Sequence, residues 1–458
     1  MASAQTGPEE QGSALLSEVI ALAWPALIQG LVVTGVLFTD RLLLGSHGGL
    51  TLGSMTISGP VIWSVFSVFG ALGAGVLAVV GRAHGAGDPA RAGRTASAAM
   101  VLGAVLGVFV TFIGIAFRQE IGLLVASSDP SAAAIRDLAD RYMLIVFLSA
   151  PLSLVGAVGT VALQAGGDTR TPMFISVGTG IINLVLTWAL LFGRWGFPAM
   201  GIDGAAIGTA VAFGFHGIAT TVYLGFNRGP VRLHRPRTSA LQPVIRVALP
   251  AVGEKVIFHV GYFMFVVLVG RLGDTAMIAH QALIAIESLG FVGSSAVGIA
   301  AGAIVAQKLG AKAPDEALRA GRLTAILGVI CLSAVGVLFY VAAPQLVAWF
   351  TSDPNVTKVA VPCLRIAAFA QPLMALADAF AGGLRGAGDT KTPMIAALFG
   401  PVIVRLTACY VLAYWADLGL IGIWLGSTLD WLVRAVWLMG AFLRGRWRTI
   451  VLDAPPPR

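Results

Sequence analysis

Four carboxylates interrupt the long apolar runs of this 458-residue sequence, and acids in such a setting can hold a cation or a proton. They are Asp40, Glu254, Glu287 and Asp378. A charged side chain at the middle of a membrane-spanning helix costs about 2.5–3.5 kcal/mol, so each one is a functional candidate. Burial in low dielectric favours the neutral form of a carboxyl group, which makes proton uptake one available chemistry. Coordination of Na⁺ by carboxylate oxygens is the other.

Two of these acids have a basic neighbour that offers a structural role instead. Asp40 is followed by Arg41, and the two could pair near the outer headgroups. Glu254 is followed by Lys255, whose long stem could reach a membrane face and draw the glutamate into an ion pair. Neighbours on a helix point about 100° apart, so geometry requires neither pair. Both interpretations stay open.

Two arginines also lie in apolar runs near the C-terminus. Arg434 follows Asp430 by four residues, a spacing that predicts an ion pair on one helix face. Arg405 has no such neighbour. Aromatic side chains in the runs could line a cleft, although packing or an interfacial belt is the commoner role; they include Trp24, Trp63, Phe258 and Tyr262.

The composition is that of a membrane protein. Hydrophobic residues make up 57% and charged residues 11%, and the mean hydropathy is +0.87. A soluble domain carries about 25% charged residues. The net charge of +8 is spread over the loops between apolar runs, which argues against a nucleic-acid partner. The three cysteines all lie in apolar segments, so we expect neither a disulfide framework nor a metal site of cysteines.

Hydropathy predicts about twelve spanning helices, because repeated apolar runs of about 20 residues must pair their backbone groups internally. Basic loops alternate with weakly charged ones, and the excess of lysine and arginine places the basic set and both termini in the cytosol. The N-terminus lacks the basic region of a signal peptide. The predicted helix limits are 16–44, 52–81, 95–117, 138–163, 173–193, 204–226, 246–271, 275–305, 323–350, 359–385, 393–414 and 419–443.

The chain contains a long internal repeat. PLSLVGAVGTVALQAGGDTRTPM, from Pro151 to Met173, aligns without a gap to PLMALADAFAGGLRGAGDTKTPM, from Pro372 to Met394. WPALIQG at Trp24 and LPAVGEK at Leu249 are a second matching pair, which aligns Glu254 with Gln29. The GGDT and GAGDT segments predict tight turns with positive-φ glycines and an Asx-type hydrogen bond.

The repeat predicts two six-helix lobes in the same membrane orientation, because an even number of helices returns the chain to the side where it started. We expect residues 1–226 to form the N-terminal lobe and residues 247–458 the C-terminal lobe. Residues 227–246 would be a basic cytosolic linker. The aligned partner of Asp40 is Phe265 and that of Asp378 is Ala157, so the copies share turns but differ at the acids.

Taken in order, these motifs resemble the multidrug and toxic compound extrusion family over nearly the whole chain. The duplicated L(R/Q)GAGDT(R/K)TPM-like turn follows the fourth helix of each copy. TDRLLLGSHG resembles the first-helix segment of the family, and AHQALIAIESLGF resembles its eighth-helix segment. The resemblance implies an all-α integral membrane fold of twelve transmembrane helices, with two lobes around a V-shaped central cleft.

The resemblance also implies site residues. Asp40 matches the first-helix aspartate of the family, and Glu287 and Asp378 match acids of its second-lobe cation site, where Na⁺ could also meet Glu254. Asn183 resembles the fifth-helix asparagine of the DinF-like branch and Thr209 its sixth-helix threonine. An aspartate is usual in that branch where this chain has Thr187, so Asp40 would lack an acidic partner. The eighth-helix segment adds Gln281 to the candidate set.

The expected function is antiport, in which H⁺ or Na⁺ enters as amphipathic, mostly cationic organic compounds are exported. We expect alternating access as the mechanism and a monomer as the working unit. The alternative is a flippase for lipids or lipid-linked oligosaccharides on a related fold, which would need a cationic cleft; Arg405 and Lys255 keep that alternative open. No catalytic constellation or nucleotide-binding loop is present in the sequence, so we expect a transporter rather than an enzyme, with no cofactor beyond the coupling ion. Its other partners would be membrane lipids.

Overall fold

The computed structural model describes residues 8–125, 130–226 and 229–452, and these residues form helices joined by short turns. Two single turns of 3₁₀ helix, at Thr238–Ala240 and Arg446–Thr449, flank the last group of helices. The α-helices in the described ranges are α1 Pro8–His47, α2 Gly49–Gly70, α3 Gly73–Gly85, α4 Pro89–Val125, α5 Pro130–Leu148, α6 Ala150–Ala165, α7 Arg170–Phe192, α8 Ile202–Gly225, α9 Leu241–Gly270, α10 Asp274–Gly310, α11 Pro314–Val341, α12 Ala343–Ala348, α13 Pro354–Gly386, α14 Lys391–Ala397, α15 Arg405–Tyr410 and α16 Gly419–Arg444.

The expected number of spans is confirmed. In the described ranges, eleven helices are long and apolar enough to cross a membrane, and the bent pair α5–α6 supplies a twelfth. Helices α2 and α3 together form one span, Gly49–Gly85, and the stretch Lys391–Trp415 forms another. The predicted linker 227–246 extends too far, because α9 already begins at Leu241 and residues 241–246 are helical.

One predicted helix is broken. The expected single helix 138–163 is α5 followed by α6, which bend by 55° at the break. Pro151 lies in the first turn of α6, where it has no backbone N–H to continue the preceding helix. The Phe147 carbonyl, four residues before Pro151, loses its helical donor and accepts instead from the Thr111 hydroxyl of α4 at 2.6 Å. Hydropathy alone does not register this kink.

The span Lys391–Trp415 is irregular in two places. Wider π-helical turns occupy Leu398–Val404 and Val411–Trp415, and the first of them contains Pro401. Short π segments inside helices are frequent at functional sites, and here the first one ends immediately before Arg405.

The repeated turn has the geometry expected from its residues. Gly167 and Gly388 have φ of 91° and 87°. Asp168 accepts a hydrogen bond from the Thr171 backbone N–H at 2.9 Å, and Asp389 accepts one from Thr392 at 3.1 Å. The left-handed glycine followed by an Asx hydrogen bond starts the next helix in both copies.

The two halves of the chain cross closely at the end that carries the basic loops. A Cβ atom at Gly85 of α3 would lie 1.9 Å from the Gln307 carbonyl oxygen of α10. A Cβ at Gly310 of α10 would lie 2.1 Å from the Arg82 carbonyl oxygen of α3. The two glycines occupy matching positions, three residues after Arg82 and Gln307, so the contact has an approximate twofold character. Only glycine permits this approach.

Side chains at the same crossing tie each half to the other. Arg82 donates to the Ala387 carbonyl at 2.7 Å, at the C-terminal end of α13. Gln307 donates to the Ala165 carbonyl at 2.8 Å, at the C-terminal end of α6. Helix C-terminal carbonyls have no partner within their own helix, so these bonds satisfy groups that would otherwise need water. The basic-loop end is therefore closed in this conformation.

Candidate functional site

Asp40 of α1 is the centre of a polar cluster in the otherwise apolar first half of the chain. With its amide nitrogen turned towards α1, Asn183 of α7 donates to the two carboxylate oxygens of Asp40, at 2.9 and 3.3 Å. The Asn183 oxygen then accepts a hydrogen bond from the Thr209 hydroxyl of α8 at 3.2 Å. The structure thus brings three of the predicted site residues together.

Tyr142 of α5 completes this group, which we call the Asp40 cluster: Asp40, Tyr142, Asn183 and Thr209. The Tyr142 and Thr209 hydroxyl oxygens are 3.2 Å apart. A threonine hydroxyl has one hydrogen to donate and two lone pairs, and the Ala205 carbonyl, 3.0 Å away, competes with Asn183 for the Thr209 hydrogen. When Thr209 donates to Asn183 and accepts from Tyr142, the hydrogen bonds all point in one direction, from the Tyr142 phenol to the Asp40 carboxylate. Sequence reasoning missed Tyr142, although a phenol within an apolar run needs a buried partner.

The structure does not show the alternative role of Asp40, an ion pair with the adjacent Arg41. In the described ranges, Asp40 makes no ion pair with Arg41 or with any other base, and its hydrogen-bonding partner is an amide. Thr187, one turn beyond Asn183, is fully buried and packs against Gly208, where a Cβ would lie 2.7 Å from the Thr187 hydroxyl oxygen. The Asp40 cluster therefore contains one carboxylate.

Glu254 of α9 is held in an ion pair, but its partner is not the adjacent Lys255. Arg385, the penultimate residue of α13, lies 2.5 Å from one Glu254 oxygen through Nη2 and 3.3 Å from the other through Nε. The Glu254 side chain is 11% exposed and the Arg385 side chain 24%. A bidentate arginine contact of this kind fixes both the charge and the orientation of a carboxylate.

The first half has an uncharged counterpart of this ion pair. Gln29 of α1 occupies the repeat position of Glu254, and Gln164 of α6 occupies that of Arg385. Gln164 donates to the Gln29 side-chain oxygen at 3.0 Å. The same two helix positions are thus joined in each copy, once by two amides and once by two opposite charges. Because the uncharged glutamine pair joins the same helix positions, we interpret the Glu254–Arg385 contact first as a structural link between helices.

Asp430 of α16 is fully buried between two arginines. Arg434 contacts its two oxygens at 2.7 and 2.8 Å, which confirms the ion pair expected from their spacing. Arg405 of α15 lies 2.5 Å from the second oxygen, a contact that the sequence did not indicate. The Arg405 guanidinium also lies 5.4 Å from the ring of Phe265, the residue aligned with Asp40. A buried charge left without its partner is expensive, so this triad fixes the position of α15 against α16.

Glu287 and Asp378 are the two candidate acids for which the described residues provide no ion pair. Glu287 of α10 is 4% exposed, makes no ion pair within the described ranges, and has Arg405 as the charged group whose field reaches it. Asp378 of α13 is partly exposed and lies within the electrostatic range of Lys255 and Arg385. Gln281 is exposed on α10, and its side chain makes a weak 3.9 Å contact with the Met277 sulfur.

The predicted sodium ligands do not form one ligand group. Among the described residues, no three histidine, cysteine, aspartate or glutamate side chains lie close enough to hold a metal ion together. Glu254, Glu287 and Asp378 therefore do not meet at one point in this conformation. Glu254 and Asp378 both lie within the electrostatic range of Lys255 and Arg385, and Glu254 is bound by Arg385.

Three of the four aromatic residues singled out from the sequence meet between the halves. Trp63 of α2 lies 6.2 Å from Phe258 and 5.5 Å from Tyr262 of α9, measured between ring centroids. His259 lies 4.4 Å from the same Trp63 ring and 3.1 Å from the Ser64 hydroxyl through Nδ1. Trp24 lies elsewhere, with the Arg170 guanidinium 5.7 Å from its ring.

Comparison with known protein families identifies the family to which the chain belongs. The sequence model of the MatE family matches the chain twice, over residues 25–189 and 250–411, which together exceed half of its length. This chain belongs to the MatE family. The two matched stretches lie on either side of the predicted linker, and each contains one copy of the repeated turn.

Curated relatives of this MatE protein match along almost their whole length. The probable multidrug resistance protein NorM of Thermotoga maritima is 28% identical over 444 residues, which cover 96% of this chain and 95% of the relative. The multidrug resistance protein NorM of Burkholderia vietnamiensis is 29% identical over 416 residues, 88% of each chain.

Solved structures of MATE transporters share the fold. A mutant of the Vibrio cholerae transporter VcmN superimposes with a TM-score of 0.87 at 20% identity, over 96% of this chain and 99% of that one. A MOP superfamily transporter from Pyrococcus furiosus gives 0.86 at 20% identity, over 95% and 96%. The resemblance seen in the motifs is thus confirmed, and the protein is a multi-pass membrane transporter rather than an enzyme.

Proposed function

We propose that this protein exports amphipathic, mostly cationic organic compounds in exchange for H⁺ or Na⁺. The relatives named as multidrug resistance proteins support the cargo class. The observation that carries the coupling is the Asp40 cluster, in which one carboxylate in an apolar bundle is held by neutral donors instead of by a base.

A carboxylate with only neutral hydrogen-bonding partners can exchange one bound cation, such as H⁺ or Na⁺, for another. An arginine partner would satisfy the charge permanently, whereas the Asn183 amide leaves a net negative charge that a proton or Na⁺ can neutralise. Because an uncompensated charge within a membrane span is costly, neutralisation changes the stability of the conformation in which Asn183 holds Asp40. A cation entering from outside and a cationic cargo leaving the cell would then compete for one charge.

The second half would contribute Glu287 and Asp378 to the cargo and cation path. Among the described residues, neither has a direct arginine contact of the kind that occupies Glu254, so each retains charge for an incoming cation. Glu254 takes a structural part in this proposal, since the equivalent contact in the first half is made by two glutamines.

Alternating access requires the glycine crossing at the basic-loop end to open and close. Backbone contact at Gly85 and Gly310 closes that end, and the bonds from Arg82 and Gln307 must break when it opens. We place this end in the cytosol, together with both termini. The basic loops lie at this end, and loops rich in lysine and arginine favour the cytosolic side of a membrane. The conformation described would then be closed to the cytosol.

The flippase alternative has less support, because the bases that it needs already lie beside carboxylates. Arg405 is bound to Asp430 at 2.5 Å, and Lys255 lies within reach of the fields of Glu254 and Asp378. A pyrophosphate headgroup would have to break these contacts before it could bind.

Reconstituted efflux tests the proposal directly. Proteoliposomes loaded with a fluorescent organic cation, or with a fluorescent polyprenyl-phosphate lipid, are placed under an inward H⁺ or Na⁺ gradient. The proposal expects gradient-dependent efflux of the cation and no movement of the lipid between leaflets. Lipid movement without organic-cation efflux would instead support the flippase.

A further inference from the structure

A cavity of about 240 Å³ lies where the linker between the two halves meets helices of both. Its polar lining consists of three arginines and two hydroxyl-bearing residues, namely Arg91, Arg94, Thr95, Arg237 and Ser239. None of the described residues that line it is acidic. The first three come from the N-terminal turns of α4, and the other two come from the linker and the short turn that follows it.

The linker reaches this cavity because it is fastened to α4. Val231 of the linker is fully buried, and the His234 backbone N–H donates to the Ser97 hydroxyl of α4 at 3.1 Å. A Cβ atom at Gly93 would lie 1.8 Å from the Arg232 carbonyl oxygen, so only glycine allows the linker to lie this close. These contacts hold Arg237 on the same cavity as the arginines of α4.

The charged side chains that line the cavity are all arginines. In the described part of the chain, Arg94 and Arg237 make no ion pair with a carboxylate. The nearby Asp88 accepts a hydrogen bond from the Arg91 backbone N–H at 2.8 Å, so its side chain caps the helix. Like charges gathered at one cavity repel each other unless an anion lies between them.

We infer that this cavity binds a phosphate group. The arginine side chain matches phosphate geometry through two parallel N–H bonds, and hydroxyl groups supply further donors. Arg91 and Arg94 start a spanning helix, which places the cavity at the depth of lipid headgroups. Basic pockets between membrane helices are suited to anionic headgroups, and a free phosphate has the same chemistry.

A bound phosphate would join the two halves. The cavity is lined by Val79 of α3 and by Pro243 of α9 as well as by the arginines, so its walls belong to both halves of the chain. Binding at such a position stabilises the conformation in which the walls are together. The site is separate from the Asp40 cluster, and it does not depend on which cargo is exported.

The test compares ligand-dependent thermal stabilisation of the full-length protein in detergent. The ligands are phosphatidylglycerol, inorganic phosphate and zwitterionic phosphatidylcholine. The cavity variant is Arg91→Gln/Arg94→Gln/Arg237→Gln. The control Arg235→Gln/Arg319→Gln/Arg322→Gln removes three exposed arginines, one from the linker and two from the first turns of α11, and loses the same charge.

We expect the cavity variant to bind phosphatidylglycerol more weakly, by roughly fivefold for each arginine removed, and the control to stay within about twofold of wild type. Stabilisation by phosphatidylglycerol alone would identify a lipid headgroup as the occupant. Equal stabilisation by inorganic phosphate would identify a free phosphate, and both results support the site. Binding that is equally strong in the cavity variant and the control, or no stabilisation of wild type by either anion, would overturn the inference.

Discussion

The ion pair between Glu254 and Arg385 can be exchanged for the neutral pair that the first half uses. The change is Glu254→Gln together with Arg385→Gln, which reproduces the Gln29–Gln164 contact at the equivalent helix positions. If the link between helices is what matters, the double variant should behave like wild type, whereas each single variant leaves one unpaired group.

The structure sets the expected magnitudes. Arg385→Gln leaves the Glu254 carboxylate buried without its base, and breaking a buried pair in this way costs about 3–5 kcal/mol. Because the Arg385 side chain is 24% exposed, we expect the lower end of that range, about 3 kcal/mol. Replacing both members of a buried pair is close to neutral, so the double variant should lie within about 1 kcal/mol of wild type.

The assay is reversible unfolding in mixed detergent and SDS micelles, followed by tryptophan fluorescence for wild type, both single variants and the double variant. The four free energies of unfolding form a double-mutant cycle, which isolates the coupling between the two side chains. A double variant no more stable than Arg385→Gln would refute the reasoning. The same four proteins are then tested for efflux, and loss of gradient-driven efflux in a fully stable double variant would show that the Glu254 charge itself takes part in transport.

Three further predictions follow from single positions. Gly85→Ala places a Cβ 1.9 Å from the Gln307 carbonyl oxygen, so it should prevent closure of the basic-loop end and lower efflux, while Gly225→Ala, which meets no atom within 4 Å, should leave efflux unchanged. Asp430→Asn should lower the free energy of unfolding by about 3 kcal/mol or more, and Asp315→Asn, in a pair whose carboxylate is 82% exposed, by less than about 1 kcal/mol. Asn183→Leu removes the hydrogen bonds to Asp40 and should reduce coupled transport about tenfold or more at unchanged expression, with Asn355→Leu as the control; unaltered transport would contradict a role for the amide.

The sequence predicted the spans and the repeated turns, because both depend on local properties. Twenty apolar residues can cross a bilayer only as a helix, and GGDT or GAGDT specifies its own turn. The break at Ser149 was missed, since hydropathy averages over a window that hides one proline. The crossing of Gly85 and Gly310 was also out of reach, because a glycine that meets another helix cannot be distinguished in sequence from one that does not.

The side-chain contacts within the site also fall into those that the sequence predicted and those that it did not. Asp430 and Arg434 lie on one helix face, and their spacing was sufficient to pair them. Arg385 is 131 residues from Glu254, and the sequence offered only the adjacent Lys255 as a possible partner, without deciding for it. Family resemblance supplied Asn183 and Thr209 beside Asp40, but Tyr142 emerged only from the packing of α5 against α8. Contacts between distant helices are set by tertiary packing, which one sequence does not display.

The most direct test of coupling through Asp40 is the reverse reaction. A gradient of organic cation is imposed across proteoliposomes with no gradient of H⁺ or Na⁺, and the movement of both ions is followed with trapped dyes. Coupling is reciprocal, so wild type should drive one of the two ions against the cargo gradient, and Asp40→Asn should not. Cargo movement without ion movement in wild type, or full ion movement in Asp40→Asn, would contradict the account.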